Sequence, residues 1–301
     1  MSVLFPENIR KAGLFSLSFG NQGQLYFDTA MKRLDEMGVE YEIALPKGGE
    51  YRYLAGSDEA RAASFNRLLA DDSIDLLFAI RGGFGAVRTL PFIDWELLLK
   101  RNIPVVGYSD MGSFLLPAWK KGFKNAILGK MAEATFGSVK LSQAEVNCCA
   151  RALRDSTAGK VICATSEAPL SPVKAGPASA PVVPCCLPLL TSLIGTPWMP
   201  DLNGTILVLE SVNTSASAVE RSLTQLEQCG ILSRLAGLVF GSFTSCGDAE
   251  YLPELFRDYG SRVPGPVCSH FKFGHDEPGA VIRVGGMATL KVSHDGSASF
   301  N

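Results

Sequence analysis

Ile74-Asp-Leu-Leu-Phe-Ala-Ile-Arg-Gly-Gly-Phe-Gly85 is the stretch on which the fold turns. Its first seven residues form a short apolar run that stops at Arg81-Gly82-Gly83, the pattern of a strand buried on both faces of a parallel sheet. Upstream, residues 14–19 and 39–45 read as strands around a helix over 24–37, in which Leu25, Ala30, Leu34 and Met37 fall near one face. Ser57 is placed to cap a helix that runs to Leu69. Downstream come short helices near 86–90 and 95–100, a strand at 104–108 and a helix at 109–121. This alternation predicts an α/β protein with a doubly wound parallel sheet.

The texture changes between Thr165 and Pro188, where Pro169, Pro172, Pro177, Pro181, Pro184 and Pro188 cluster. Proline removes backbone donors, so this segment reads as a connection or a set of edge strands. The expected division is therefore a nucleophile-bearing domain over 1–155, a proline-rich connection over 156–188, and a smaller β-rich domain over 189–301. In that last part 205–209 and 237–243 read as strands. Ser217 to Glu220 reads as a capping box opening a helix to Gln228, and 249–259 as another helix. Residues 281–284 and 289–292, joined by Gly285-Gly286-Met287-Ala288, read as a terminal hairpin.

Composition narrows the function classes. The chain has 301 residues, 47% of them hydrophobic and 19% charged, with mean hydropathy +0.16, which suits a packed core and not a disordered chain. Lys and Arg total 28 against 30 Asp and Glu, so no basic footprint for nucleic acid is present. No stretch approaches the ~18 continuous apolar residues of a membrane helix, and no leader-like run opens the chain, so a soluble cytoplasmic protein is expected. None of the eight cysteines forms a C-x-x-C pair, which argues for small core residues over disulfides or a structural metal, and no cofactor is implied.

In open α/β sheets ligands bind beyond the carboxyl ends of the strands. At one such end stands Arg81-Gly82-Gly83-Phe84-Gly85, where consecutive glycines let backbone N–H groups approach an anion or an oxyanion, or simply make a tight turn. At another stands Gly107-Tyr108-Ser109-Asp110. A serine on a sharp strand-to-helix turn exposes its hydroxyl beside the helix N-terminus; alternatively Ser109 or Asp110 only caps the helix. A serine nucleophile needs a base, and the chain has three histidines. His294 lies in a terminal turn and His270 follows a strand as a half-buried structural residue. His275 sits in the polar loop Phe273-Gly-His-Asp-Glu-Pro-Gly279. Glu210 ends the apolar strand TILVL, where it needs a partner; a histidine N–H, an arginine or a backbone donor would each serve.

At these residues the sequence resembles the LD-carboxypeptidase family, serine peptidases of murein recycling that also include the microcin C immunity peptidases. The resemblance is carried by AIRGGFGAVRTLPFIDW (79–95), VGYSDMGSF (106–114), SLIGTPWMP (192–200), GTILVLESVN (204–213), VERSLTQLEQCGIL (219–232), LVFGSF (238–243) and FGHDEPGAVIRVGG (273–286), in family order. It implies a Rossmann-like N-terminal domain against a smaller β-rich α/β domain, with the active site between them in a homodimer. It implies Ser109 as nucleophile in the G-[YHF]-S-D turn, Glu210 from the strand end L-V-L-E, and His275 from the F-G-H loop. The oxyanion hole falls to backbone N–H groups of Asp110 and the Gly82-Gly83 turn.

The implied substrate is a small muropeptide, the murein tetrapeptide, from which terminal D-Ala is released. Arg81 is the candidate for the terminal carboxylate, or else a member of a structural ion pair. There are departures. Gly112 replaces the family's threonine, 181–188 replaces a W-G-G-N-L segment, and Ser16-Leu-Ser-Phe-Gly20 replaces an early P-S turn. Two other functions stay open. One is an immunity-type amidase cleaving peptidyl-nucleotide antibiotics, against which the modest 129–165 segment counts because it shows little sign of an extra loop. The other is a binding protein on the same scaffold that has lost turnover, which the altered 181–188 segment motivates.

Overall fold

The computed structural model describes residues 3–20, 23–166 and 168–301. Its strands are β1 (Lys11–Phe15), β2 (Glu40–Ala44), β3 (Leu76–Ala79), β4 (Val105–Gly107), β5 (Ala126–Leu128), β6 (Ile162–Cys163), β7 (Ser171–Lys174), β8 (Gly176–Cys186), β9 (Ile206–Val212), β10 (Gly237–Thr244), β11 (Val267–Ser269), β12 (Val281–Arg283), β13 (Met287–Val292) and β14 (Ala298–Phe300). They form two seven-stranded sheets, ordered β2-β1-β3-β4-β5-β12-β6 and β14-β13-β8-β9-β10-β11-β7.

β3 shows why the first sheet is doubly wound. All four of its residues are buried, and they alternate between two cores. Leu77 and Ala79 join Phe65, Leu68, Phe114 and Leu115 on one face, so helices Asp58–Ala70 and Gly112–Lys120 cover that side. Leu76 and Phe78 join Leu34, Val146 and Leu153 on the other, under helices Gln24–Glu36 and Gln143–Thr157. β1 to β5 run parallel, and the chain reverses its winding between β1 and β3, the point where open sheets place their ligands. The first of these two cores continues without a break into the second sheet through Val182, Leu207, Leu209 and Val239. The protein is thus a two-domain α/β structure with mixed sheets. Among the described residues no helix is long and apolar enough to cross a membrane.

Several local expectations are corrected. Residues 281–292 make no hairpin: β12 lies antiparallel between β5 and β6 in the first sheet, while β13 pairs β8 and β14 in the second. The Gly285-Gly286 turn is therefore a crossing between sheets. Of the proline-rich segment, β7 is an edge strand, but β8 is eleven residues long and interior.

β8 tolerates its prolines because each points its missing N–H away from a partner. Val182 donates toward β13, at the Gly286 carbonyl, so even-numbered residues face β13 and odd-numbered ones β9. Pro177 and Pro181 are odd and precede the β9 pairing, which starts at Val182; Pro184 is even and lies beyond the β13 pairing, which stops at Pro181. The helix expected from Ser217 starts earlier: Ser215 is the cap, accepting from Ala218 N, and the helix spans Ala216–Gln228. Ser57 does cap its helix, accepting from Ala60 N.

Candidate active site

β3 and β4 end side by side, and each end delivers a special turn. After β4, Tyr108 is still extended (φ −151°), whereas Ser109 sits in the left-handed region at φ +56° before the turn Ser109–Met111 enters the helix. Such a conformation costs a non-glycine residue about 1–2 kcal/mol and must be held from outside. Asp110 does the holding. Its buried carboxylate accepts from Ala86 N at 2.8 Å and Ser18 Oγ at 2.7 Å, which ties the turn to the segments after β3 and β1. Burial pushes this carboxyl above its ordinary value, opposed by those hydrogen bonds and by the charge of Arg61. The Asp110 side chain is thus a structural tether between this turn and the segments after β1 and β3.

The turn after β3 comes closer still. A Cβ placed on Gly82 would lie 2.9 Å from Ser109 Cβ, 3.2 Å from Ser109 Oγ and 3.3 Å from Asp110 N. Gly82 therefore lies directly against Ser109, and any side chain there would force one of the two turns to shift. Gly83 has φ +123°, with Phe19 packed against it. Gly112, by contrast, would place a Cβ at ordinary contact distance, 3.6 Å from Cys185 Sγ, so loss of the threonine there opens no constraint.

His275 arrives from the second sheet on the loop between β11 and β12. Phe273 anchors that loop by accepting from Ser242 N at 2.8 Å, and Ala280 N donates to Lys272 O at 2.7 Å. The imidazole makes two contacts: Nε2 lies 3.1 Å from Ser109 Oγ, and Nδ1 lies 2.9 Å from Glu210 Oε2. Glu210 is fully buried, and β9 runs two residues beyond it instead of ending there. With the carboxylate ionised, Nδ1–H donates to Glu210, which leaves Nε2 to accept from the serine hydroxyl. A hydroxyl, a base and an orienting carboxylate in this order can carry out acyl transfer through a covalent intermediate.

The remaining expected residues fall on either side of this centre. Arg81 is half-buried. It donates one N–H to Gly20 O at 3.3 Å, lies over the Phe19 ring at 5.6 Å, and burial holds its guanidinium below its ordinary value against the charge of Glu133. It directly precedes the Gly82-Gly83 turn in the chain. His294 is exposed, and so is His270, which was expected half-buried; His270 Nδ1 lies 3.0 Å from Ser269 Oγ.

Sequence reasoning missed the anchor of the histidine loop. Glu277, two residues after His275, pairs with fully buried Lys130, accepts from Thr135 Oγ1 at 3.0 Å and from Gly279 N at 2.9 Å, and takes a long contact from Cys149 Sγ. Lys130 follows β5, so the strand-end rule applied to every strand would have found it.

Two family models match this chain: the LD-carboxypeptidase N-terminal domain over residues 13–129 and the LD-carboxypeptidase C-terminal domain over 179–290. The chain belongs to the LD-carboxypeptidase family. Among its relatives, the murein tetrapeptide carboxypeptidase of Pseudomonas aeruginosa is 28% identical over 273 residues, covering 88% of each chain. The crystal structure of muramoyltetrapeptide carboxypeptidase from Oxalobacter formigenes superimposes with a TM-score of 0.83 at 26% identity, over 96% of this chain and 97% of that one. The microcin C7 self-immunity protein shares the fold, with a TM-score of 0.87 at 19% identity over 98% of this chain and 97% of that one.

Proposed function

We propose that this LD-carboxypeptidase family member is a serine carboxypeptidase that hydrolyses an L,D-amide bond and releases terminal D-Ala from murein tetrapeptide. The observation that carries the reading is the single imidazole within hydrogen-bonding distance of both Ser109 Oγ and buried Glu210 Oε2. His275 Nε2 removes the Ser109 proton as Oγ bonds to the scissile carbonyl carbon, whose oxygen takes the charge. Glu210 stabilises the resulting imidazolium. The N–H groups of Asp110 and of the Gly82-Gly83 turn receive the oxyanion, each such donor being worth about 10²–10³-fold in turnover in other hydrolases. The tetrahedral centre collapses, His275 gives its proton to the departing amine, and D-Ala leaves. Water, deprotonated by the same imidazole, then cleaves the ester and restores Ser109.

Arg81 is the residue we assign to the terminal carboxylate. Its fork has four donors beyond the one given to Gly20, and it directly precedes the Gly82-Gly83 turn. Arg81→Met is expected to cost about 10–100-fold in kcat/KM on the free acid, the worth of one hydrogen bond to a charged group. It should change little on a C-terminally amidated peptide. The family resemblance also carries a cytoplasmic homodimer acting on small peptides, without nucleic acid or membrane. Sedimentation at micromolar concentration tests the dimer.

The decisive experiment is incubation with murein tetrapeptide and mass spectrometry of the products. Loss of one alanine supports the reading. An intact tetrapeptide beside cleavage of a peptidyl-nucleotide would replace it with the immunity-type amidase. No cleavage of either, with Ser109 inert to a fluorophosphonate, would leave a binding protein.

A further inference from the structure

The chemistry above leaves two buried polar atoms unused beside the histidine. Glu210 Oε2 receives the imidazole N–H, but among the described residues Glu210 Oε1 is buried without a hydrogen-bond partner, and so is the hydroxyl of Tyr108. Buried polar groups are ordinarily satisfied, so two orphans in one pocket call for an explanation. Tyr108 immediately precedes the nucleophile. Its ring centroid lies 5.0 Å from that of His275 and 5.6 Å from that of Phe273, which packs edge-on against it. Burial, followed by the charge of Glu210, holds the phenol well above its ordinary value. Cys186, cross-strand from Glu210 in the β8–β9 register, has its thiol pushed up by burial and by the same carboxylate. The carboxylate thus has two neutral donors as neighbours, and the phenol interacts with it without a fully formed hydrogen bond. Catalytic hydrogen bonds are often loose in the resting enzyme and tighten as charge develops.

We propose that Tyr108 is a positioning residue for the reaction, its hydroxyl donating to Glu210 Oε1 and so fixing the carboxylate with Oε2 toward His275 Nδ1. This rests on the triad assigned above. Tyr108 never touches substrate; it acts through Glu210. A carboxylate bound at both oxygens cannot rotate away from the imidazole when Nε2 takes the serine proton.

The test is a double-mutant cycle on murein tetrapeptide with Tyr108→Phe, Glu210→Gln and the pair together, reading kcat and KM separately. Phe keeps the ring packing against Phe273 and His275. Tyr108→Phe should lower kcat about 10-fold, the worth of one hydrogen bond to a charged group, with KM unchanged. Added to Glu210→Gln it should have no further effect, because the group it positions is gone. The proposal is overturned if kcat is unaffected, if KM moves instead, or if the full loss reappears on Glu210→Gln. Wild-type turnover by Glu210→Gln alone would remove the triad itself, an outcome distinguishable from all of these.

Discussion

The Ser109 turn and the histidine loop meet at 3.1 Å, yet they are held by different means. The turn is made of backbone: a left-handed Ser109, a Gly82 that allows contact, and an Asp110 carboxylate that accepts from a main-chain N–H and a serine. The loop adds an ionic side-chain cluster to its backbone anchors: Glu277 collects Lys130, Thr135 and Cys149, the first and last of which stand 147 and 128 residues away. A device of close backbone contacts fails by steric conflict. An ionic device is fixed by distant residues and fails when one charge is left alone in the interior.

Substitutions can break that comparison, and the first probes the junction itself. Ser109→Ala should reduce kcat by about 10⁴-fold or more while the circular dichroism and melting curve stay those of wild type. Undiminished tetrapeptide turnover would dissolve the site. Gly82→Ala puts a methyl group where Ser109 Cβ already stands, and a displaced nucleophile and donor pair should cost about 10²–10³-fold in kcat. A smaller loss than that of a surface Gly→Ala control would show that the turn is not the close-fitting part.

On the loop side the first readout is stability. Glu277→Gln leaves the Lys130 ammonium buried without its charge partner and should cost about 3–5 kcal/mol by urea unfolding. Lys130→Met added to it should recover much of that loss, since no unpaired charge remains. A double variant no more stable than the single one would mean that the loop is held by its backbone after all.

The smallest effect is expected at Asp110, whose folded carboxyl lies above its ordinary value of 3.8 because burial outweighs its hydrogen bonds. The folded state therefore holds this proton more tightly than the unfolded chain does. Ionisation penalises folding above the raised value, and the penalty disappears as pH falls toward 3.8. Asp110→Asn should gain most relative to wild type near neutral pH, with the gap between the melting temperatures closing on acidification. A gap that widens instead would give the carboxylate the opposite role.

The same contrast governs what could be read from sequence. IDLLFAI announced a strand buried on both sides, and its glycines announced the turn behind it, because strand period and positive φ are local properties. Ser109, Glu210 and His275 could be singled out as strand-end and loop residues, but their convergence needed three-dimensional pairing. Lys130 could be marked by the strand-end rule as a residue just past β5, but nothing near it in sequence reveals that Glu277 of the histidine loop is its partner. The prolines of β8 misled for a physical reason: a missing donor signals an edge, unless the neighbouring strands begin and end so that each gap falls where no acceptor waits. The supposed terminal hairpin failed similarly. Two short strands flanking Gly-Gly fit a tight reversal, and only sheet membership shows that they part company.

That parting has a consequence for any attempt to dissect the molecule. β12 is contributed by residues 281–283, yet it separates β5 from β6 in the sheet built by the first 163 residues. A fragment stopped ahead of it would keep both flanking strands and lose the rung between them, together with the tail end of the loop that bears His275. The halves are sewn together by their last stitch, so neither can be expected to stand as an independent folding unit, and the Ser109–His275–Glu210 cluster is completed only when nearly the whole polypeptide has been wound in.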